Sequence, residues 1–262
     1  MKLRGPSSLT LLSAVLLAAV VVFAGFRSVE ETPARTAPGS ASDIPLKDAK
    51  LNIEHNATDR DTGFQGFIDS EGWQRLDVRG PAGDVLAFQT RGTLARLGLT
   101  ELFFESVEPE NAKVPIARML AKLPEGNYTI AGPALENGKN TGNTSGKAWL
   151  THDIPAGPRL VSPAPGARVP VRGVAARWKP VTKTITGKPV KIIAYQLIIE
   201  KDIEPHRHMI GKLGLSMYLP RSVTRIDVPD GFLQRRTAYN WEVLAIERSG
   251  NQTLSSGSFR TR

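Results

Sequence analysis

The stretch YNWEVLAIERSGNQTLSSGSF, residues 239–259, alternates between apolar and polar side chains with a period of two. In an extended chain, Tyr239, Trp241 and Val243 fall on one face and the residues between them fall on the other. Ser249-Gly250-Asn251 interrupts the alternation with turn-forming residues, and a second run follows. The stretch therefore predicts a β-hairpin at the end of the chain.

Short runs of this kind recur along the 262 residues, separated by many of the 24 glycines and 19 prolines. A break at Pro155-Ala156-Gly157-Pro158 divides them into two halves, each of a size that suits one domain. We predict a mostly β protein with two β-sandwich-like domains, residues 49–157 and residues 158–262.

The first domain is expected to contain one short helix. Its apolar residues fall at i, i+3, i+4 and i+7 between two prolines: Ile116, Met119, Leu120 and Leu123. The same domain is expected to end in a hairpin whose loop is the Gly/Asn-rich ENGKNTGNTSG, residues 136–146.

The amino terminus has the features of an export signal. Two basic residues precede an uncharged apolar stretch, residues 9–26, and the small residues around Ala24 suit cleavage by a signal peptidase. The alternative is an uncleaved membrane anchor, because the apolar stretch is near the minimum length that spans a bilayer. We assign residues 1–26 to this signal or anchor and residues 27–48 to a disordered tether. The remainder is expected in the periplasm or outside the cell.

Composition limits the possible partners and cofactors. The formal net charge is +9, with basic residues scattered rather than collected on a helix or an aromatic platform, so we expect no nucleic-acid partner. The chain has no cysteine, which excludes disulfides, thiolate zinc sites and cysteine nucleophiles. We expect no cofactor, and a protein or polysaccharide of the cell envelope as the partner.

Residues from 159 onward resemble a fibronectin type III domain. The resemblance lies in an early Trp178, a central Tyr195, and Tyr239 leading into the alternating strand that contains Trp241. It implies a β-sandwich in which Trp178, Tyr195 and Trp241 are buried together and the Tyr239 hydroxyl bonds nearby backbone. The whole chain resembles exported bacterial proteins that carry such a domain, a family without an assigned role. Fold resemblance alone implies no activity.

One acidic stretch, NATDRDTGFQG, resembles the inter-domain segment of cadherins. Asp59 and Asp61 could supply oxygen ligands to calcium, and Glu54 and Asp69 could add to them. Asp and Gly are also ordinary turn residues, and Arg60 would partly neutralise the site. We favour a turn braced by hydrogen bonds to the backbone of Thr62 or Gly63, and we predict no metal site.

Other motifs carry weaker signals. His206 and His208 could lie on one face of a strand and hold zinc, but we favour an exposed loop. No spaced catalytic set is present. Leu244 and Ile246 point away from the predicted core, either as isolated exposed side chains or, with Ile198, as a patch that docks another surface.

We therefore predict a non-enzymatic exported binding or scaffolding protein of the cell envelope. One alternative is a carbohydrate-active hydrolase with a fibronectin-like accessory module, which two close carboxylates in a cleft of the first half would support. The other is a calcium-dependent adhesion module, which requires several oxygen ligands converging near Asp59 and Asp61.

Overall fold

The computed structural model describes residues 43–262, a mostly β chain. The first half contains β1 (Asp43–Pro45), β2 (Asp48–Asn56), β3 (Asp61–Trp73), β4 (Arg75–Gly80), β5 (Gly83–Gln89), α1 (Leu94–Leu97), β6 (Leu99–Glu105), α2 (Ile116–Leu120), β7 (Gly126–Glu136) and β8 (Lys139–Leu150). The second half contains β9 (Leu160–Ser162), β10 (Ala167–Val169), β11 (Ala175–Trp178), β12 (Ile192–Lys201), β13 (Gly214–Pro220), β14 (Arg225–Asp227), β15 (Ala238–Glu247) and β16 (Gln252–Thr261). Within residues 43–262, no helix is long and apolar enough to cross a membrane.

The first half encloses its own hydrophobic core. Alternate residues of several strands point into it and are buried, among them Leu51, Ile53, Leu76, Tyr128, Ile130 and Leu150. Helix α2 covers this core with Met119, and Leu123 packs there after the helix has ended. The predicted helix is thus confirmed. A second helix of one turn, α1, was not predicted; its residues are not buried, so an apolar period could not reveal it.

The β7–β8 hairpin has a much tighter turn than the sequence suggested. The predicted loop, residues 136–146, is largely strand, and only Asn137-Gly138 connects β7 to β8. Both residues have positive φ, 49° and 76°, as the two-residue turns favoured in hairpins require. The loop prediction was wrong because Gly and Asn were counted as breakers along the whole segment.

The second half is a sandwich of two sheets. Strands β14-β11-β9 form one sheet, and β13-β12-β15-β16 form the other part of the sandwich. Trp178, Tyr195 and Trp241 are buried in one cluster between them, as predicted. The rings of Trp178 and Tyr195 meet edge to face with centroids 5.5 Å apart. The fibronectin type III-like fold predicted for the second half is confirmed by this strand order and core.

Tyr239 occupies the predicted corner. Its ring is fully buried and stacks on Phe259 at 5.3 Å between centroids, and its hydroxyl accepts a hydrogen bond of 2.9 Å from the Gln234 backbone N–H. Tyr195 makes a similar bond, accepting from the Val181 N–H at 2.8 Å. Each bond satisfies a buried hydroxyl while the ring fills the core.

The two halves share one sheet. The first residues of β16 pair in parallel with β2, with Gln252 beside Glu54, Thr253 beside His55 and Leu254 beside Asn56. The last residues of the same edge pair with β10. The edge of β16 is therefore covered, which removes an unpaired row of backbone groups that could recruit another chain.

Part of the predicted tether is ordered. Strand β1 and the start of β2 lie within residues 43–48, so the prediction of disorder was wrong for these residues. Strand β1 pairs in parallel with β8, which supplies the backbone partners that a polar, proline-containing segment does not reveal by itself. Residues 1–42, with the predicted signal or anchor and the rest of the tether, lie outside the described residues.

Candidate functional site

One face of the shared sheet crosses the junction between the halves. Directly opposite residues in neighbouring strands point to the same side, so the registers define this face. It runs through β13, β12, β15, β16, β2, β3 and β6 and lies opposite both cores. We call it the junction face; its side chains include Tyr218, Gln196, Leu244, Gln252, Glu54, Gln65, Phe67 and Phe103.

A groove of about 540 Å³ lies on the junction face and is lined by both halves. Three aromatic side chains in its wall are substantially exposed: Trp149 by 51%, Tyr218 by 55% and Phe103 by 40%. Large apolar rings in a cleft are the usual anchors of small-ligand sites. A cavity of about 610 Å³ between the β4–β5 turn and α2 lacks this feature, because its rings, Phe64 and Tyr128, are buried in the core.

Side-chain amides on the groove floor are held in fixed orientations. The Gln252 amide nitrogen donates to the Gln65 side-chain oxygen at 2.9 Å and also to the Glu54 carboxylate. The Gln65 nitrogen in turn donates to Glu105 at 2.7 Å, and Asn52 donates to Gln65 at 3.4 Å. These bonds leave the amides oriented before any ligand arrives, which reduces the entropy lost on binding.

Three carboxylates lie beneath and beside these amides. Ligand atoms of Glu54, Glu105 and Glu108 all lie within 4.8 Å of one another. Gly63, opposite Glu54 on β3, makes room for this cluster, since a Cβ there would lie 2.7 Å from Cγ of Glu108. A side chain at this position would push Glu108 away from the sheet.

Burial keeps two of these carboxyls, Glu54 and Glu108, protonated at unusually high pH. Burial, with the repulsion of Glu105 as a smaller cause, raises the pKa of Glu54 to about 7. Burial and then the charges of Glu54 and Glu105 raise the pKa of Glu108 to about 8. Glu242, on β15 of the same face, has its pKa raised to about 7 by burial and by Glu200. Glu54, Glu108 and Glu242 therefore bind protons at pH values where free carboxyl groups have already lost them.

We expect stability to fall as pH rises from about 5 to about 8. Above the unfolded pKa of 4.5 the unfolded chain loses these protons while the folded chain keeps them, so the unfolded state is favoured until the folded pKa values are passed. One pKa unit corresponds to about 1.4 kcal/mol, so the shift of Glu54 alone, from 4.5 to about 7, implies a loss of roughly 3 kcal/mol, to which Glu108 adds. Urea unfolding at a series of pH values measures it.

The doubly substituted Glu54→Gln, Glu108→Gln chain should show a much smaller fall, because neither amide titrates. Glu101→Gln is the matched control, an exposed carboxylate on the same side of β6, and should follow the native profile. His55 acts in the opposite direction. Burial lowers its pKa, so this residue makes the folded state less stable as pH falls. Each variant is therefore compared with the native chain at the same pH. A native profile that is flat, or that the double substitution leaves unchanged, would contradict this account.

The terminal hairpin docks the second half onto the first. Asn251 is fully buried; its side-chain oxygen accepts from the Ile53 N–H at 2.9 Å, and its nitrogen donates to the Thr151 backbone oxygen at 2.9 Å. Glu247 accepts from the Ser249 and Asn251 backbone N–H groups and so shapes the turn. One asparagine thus bridges β2 and the segment that follows β8.

Among residues 43–262, the four calcium candidates do not form one cluster of ligand atoms. Asp59 braces a turn, as expected, but it accepts a 2.8 Å bond from the Asn56 amide rather than from the backbone of Thr62 or Gly63. Asp61 begins β3, and Asp69 lies eight residues along that strand, beside Ile68. Glu54 belongs to the carboxylate cluster, with Glu105 and Glu108, which the sequence reading missed.

The structure also locates the histidine pair and the outward-pointing apolar residues of β15. His206 and His208 lie in an exposed loop, as favoured. Leu244 is buried with Ile198 and Leu254 on the junction face, which favours the docking hypothesis, whereas Ile246 lines the groove. Trp149 was missed, although its position opposite to buried Ala148 and Leu150 in an alternating strand was a visible signal.

Comparisons with known proteins do not identify a family for this chain. No protein-family model matches the chain, and no curated protein matches it. A two-domain fibronectin type III segment of chicken tenascin is 13% identical, with 82% of this chain and 99% of that one covered and a TM-score of 0.30. The FN1–FN3 domains of chicken CNTN1 are 12% identical, with 86% and 66% covered and a TM-score of 0.31. Neither likeness bears on function.

Proposed function

We propose that the protein is an exported, non-enzymatic binding or scaffolding protein of the cell envelope, and that the groove on the junction face is its ligand-binding surface. The observation that carries the proposal is the groove wall, where three exposed aromatic rings surround amides that are already oriented. A few fixed polar groups among apolar rings give a site both affinity and orientation.

The composition of the amino terminus supports export. Its uncharged apolar stretch follows basic residues and ends near a plausible cleavage position, the arrangement that secretory signals share. The +9 formal charge favours association with anionic envelope components once the chain is exported.

The carboxylate cluster favours one second candidate, a carbohydrate-active hydrolase. A glycosidase needs two carboxyl groups that flank the bond to be broken. Here Glu54 is 3% exposed and accepts a bond from Gln252, and Glu105 accepts from Gln65. Their oxygens face amides that separate them from the groove, so binding without chemistry agrees better with the geometry.

Fractionation of bacterial cells that express the full chain tests the proposal. We expect a mature form beginning near Gly25, or a membrane-held form that external protease digests in spheroplasts. The released protein should sediment with insoluble envelope polysaccharide, and Trp149→Ala should reduce the bound fraction several-fold by removing a central ring.

The control is Leu97→Ala, a change at another exposed apolar side chain, which is 70% exposed and does not line the groove. It should bind as the native chain does. A full-length chain that stays soluble in the cytoplasm, or sedimentation that Trp149→Ala does not alter, would overturn the proposal. Release of reducing sugar by the native chain, lost in Glu54→Gln, would favour the hydrolase.

A further inference from the structure

The charged side chains that line the groove are all positive. Two cationic residues, Lys50 and Arg248, line it, and no aspartate or glutamate among residues 43–262 does. Of the nearby carboxylates, Glu54 and Glu105 bond the amides, Glu242 lies on β15, and Asp48 pairs with Lys50. The groove therefore presents positive charge to a ligand, although acidic groups are close by.

The two cationic side chains differ in whether a carboxylate already pairs with them. Lys50 forms an ion pair of 2.5 Å with Asp48 and lies 5.6 Å from the centre of the Phe67 ring. Arg248 is exposed on the terminal hairpin, and no carboxylate of residues 43–262 lies within ion-pair distance of it. A guanidinium in this state can bind a carboxylate through two parallel hydrogen bonds.

The backbone of the groove floor argues against an extended peptide. Strands β2 and β16 pair with neighbours on both sides along this floor, so their backbone groups are already bonded. A peptide that recognises a sheet by adding a strand needs a free edge. On this part of the floor, recognition therefore comes from side chains.

Those side chains match a sugar chain. Trp149, Phe103 and Tyr218 offer exposed ring surfaces that can cover the apolar C–H faces of pyranose rings. Gln65 and Gln252 have amides that both donate and accept, as sugar hydroxyls do. A volume of about 540 Å³ holds a short segment of such a chain.

We propose that the groove binds an oligosaccharide that carries carboxylate groups, with uronic-acid residues placed so that Arg248 pairs with a carboxylate while Trp149 stacks on a ring. This inference rests on the proposed function and specifies its ligand class. Lys50 supplies a second, weaker positive contact because Asp48 already engages it.

Isothermal titration of the purified full chain with a short oligogalacturonate, and with the matching neutral galacto-oligosaccharide, tests this. We expect the acidic chain to bind about tenfold more tightly, the gain that a partly exposed bidentate contact can give. Arg248→Gln should remove most of that preference and leave neutral binding nearly unchanged. Trp149→Ala should weaken binding of both by about tenfold.

Arg91→Gln, which removes an exposed guanidinium away from the groove lining, is the matched control and should leave both affinities unchanged. Equal binding of the acidic and neutral chains, sensitive to Trp149→Ala, would overturn the acidic ligand and leave the proposed function standing. Tighter binding of an aspartate oligopeptide would replace the sugar with a peptide. If neither sugar bound, the inference would be overturned, while cell fractionation would still decide export independently.

Discussion

Replacing Trp178 with alanine is expected to lower the free energy of unfolding by roughly 3–5 kcal/mol, the usual cost of removing a large aromatic side chain from a core. Trp178 is 3% exposed, and its ring meets Tyr195 edge to face in the centre of the second sandwich. The lost side chain takes with it both buried apolar area and the aromatic contact, and two facing sheets cannot move together to close the cavity. Urea or thermal unfolding of the full chain measures the change.

Trp149→Ala is the matched control for this substitution. The same residue type is removed, but Trp149, in the wall of the groove, is 51% exposed. We expect a change of about 1 kcal/mol or less, since most of the ring is already in contact with water. If both tryptophan variants lost the same stability, or if Trp178→Ala lost none, the described core of residues 158–262 would be wrong.

Replacing Asn251 with alanine is expected to cost roughly 2–4 kcal/mol and to weaken the coupling between the two halves. The change leaves the buried Ile53 N–H and the Thr151 backbone oxygen without the partners that Asn251 supplies. A buried polar group without its hydrogen bond costs about 1–3 kcal/mol. Because both groups belong to the first half, we also expect hydrogen exchange in β2 to accelerate.

Asn140→Ala provides the comparison for Asn251. Asn140 is exposed in the β7–β8 hairpin, where its side-chain oxygen accepts one bond, from the Gly142 N–H at 2.9 Å. Its removal should change stability by about 0.5 kcal/mol or less. Suppose that the Asn251→Ala variant unfolded at the same urea concentration as the native chain, and that its β2 amides exchanged at the native rate. The terminal hairpin would then not hold the halves together.

The candidate site was largely invisible in the sequence. Gln65 and Gln252 are 187 positions apart, and an alternating strand gives no sign of which distant amide its polar side will meet. Glu54 was considered only as an additional calcium ligand, and no local pattern singled out Glu105 or Glu108, with which it clusters. Their chemistry depends on burial, and burial depends on how the two halves meet.

Local pattern determined much of the fold. A period of two assigns Tyr239, Trp241 and Val243 to one face wherever their strand lies, because successive side chains of an extended chain must point to opposite sides. The helical period of Ile116 and Met119, with proline before it, likewise predicted α2 from neighbouring residues alone. These features arise within about ten residues, where chain geometry leaves few alternatives.

Only the tertiary structure decided which strand edges join. Every strand edge offers the same backbone N–H and C=O groups, so alternation could not predict that β16 pairs with β2 or that β1 pairs with β8. That choice depends on contacts such as those of Asn251 and Leu254, whose free energies are gained only when the whole chain has folded. The sequence by itself determined the faces of the strands, and long-range packing determined that two of those faces become a single surface with a groove across it.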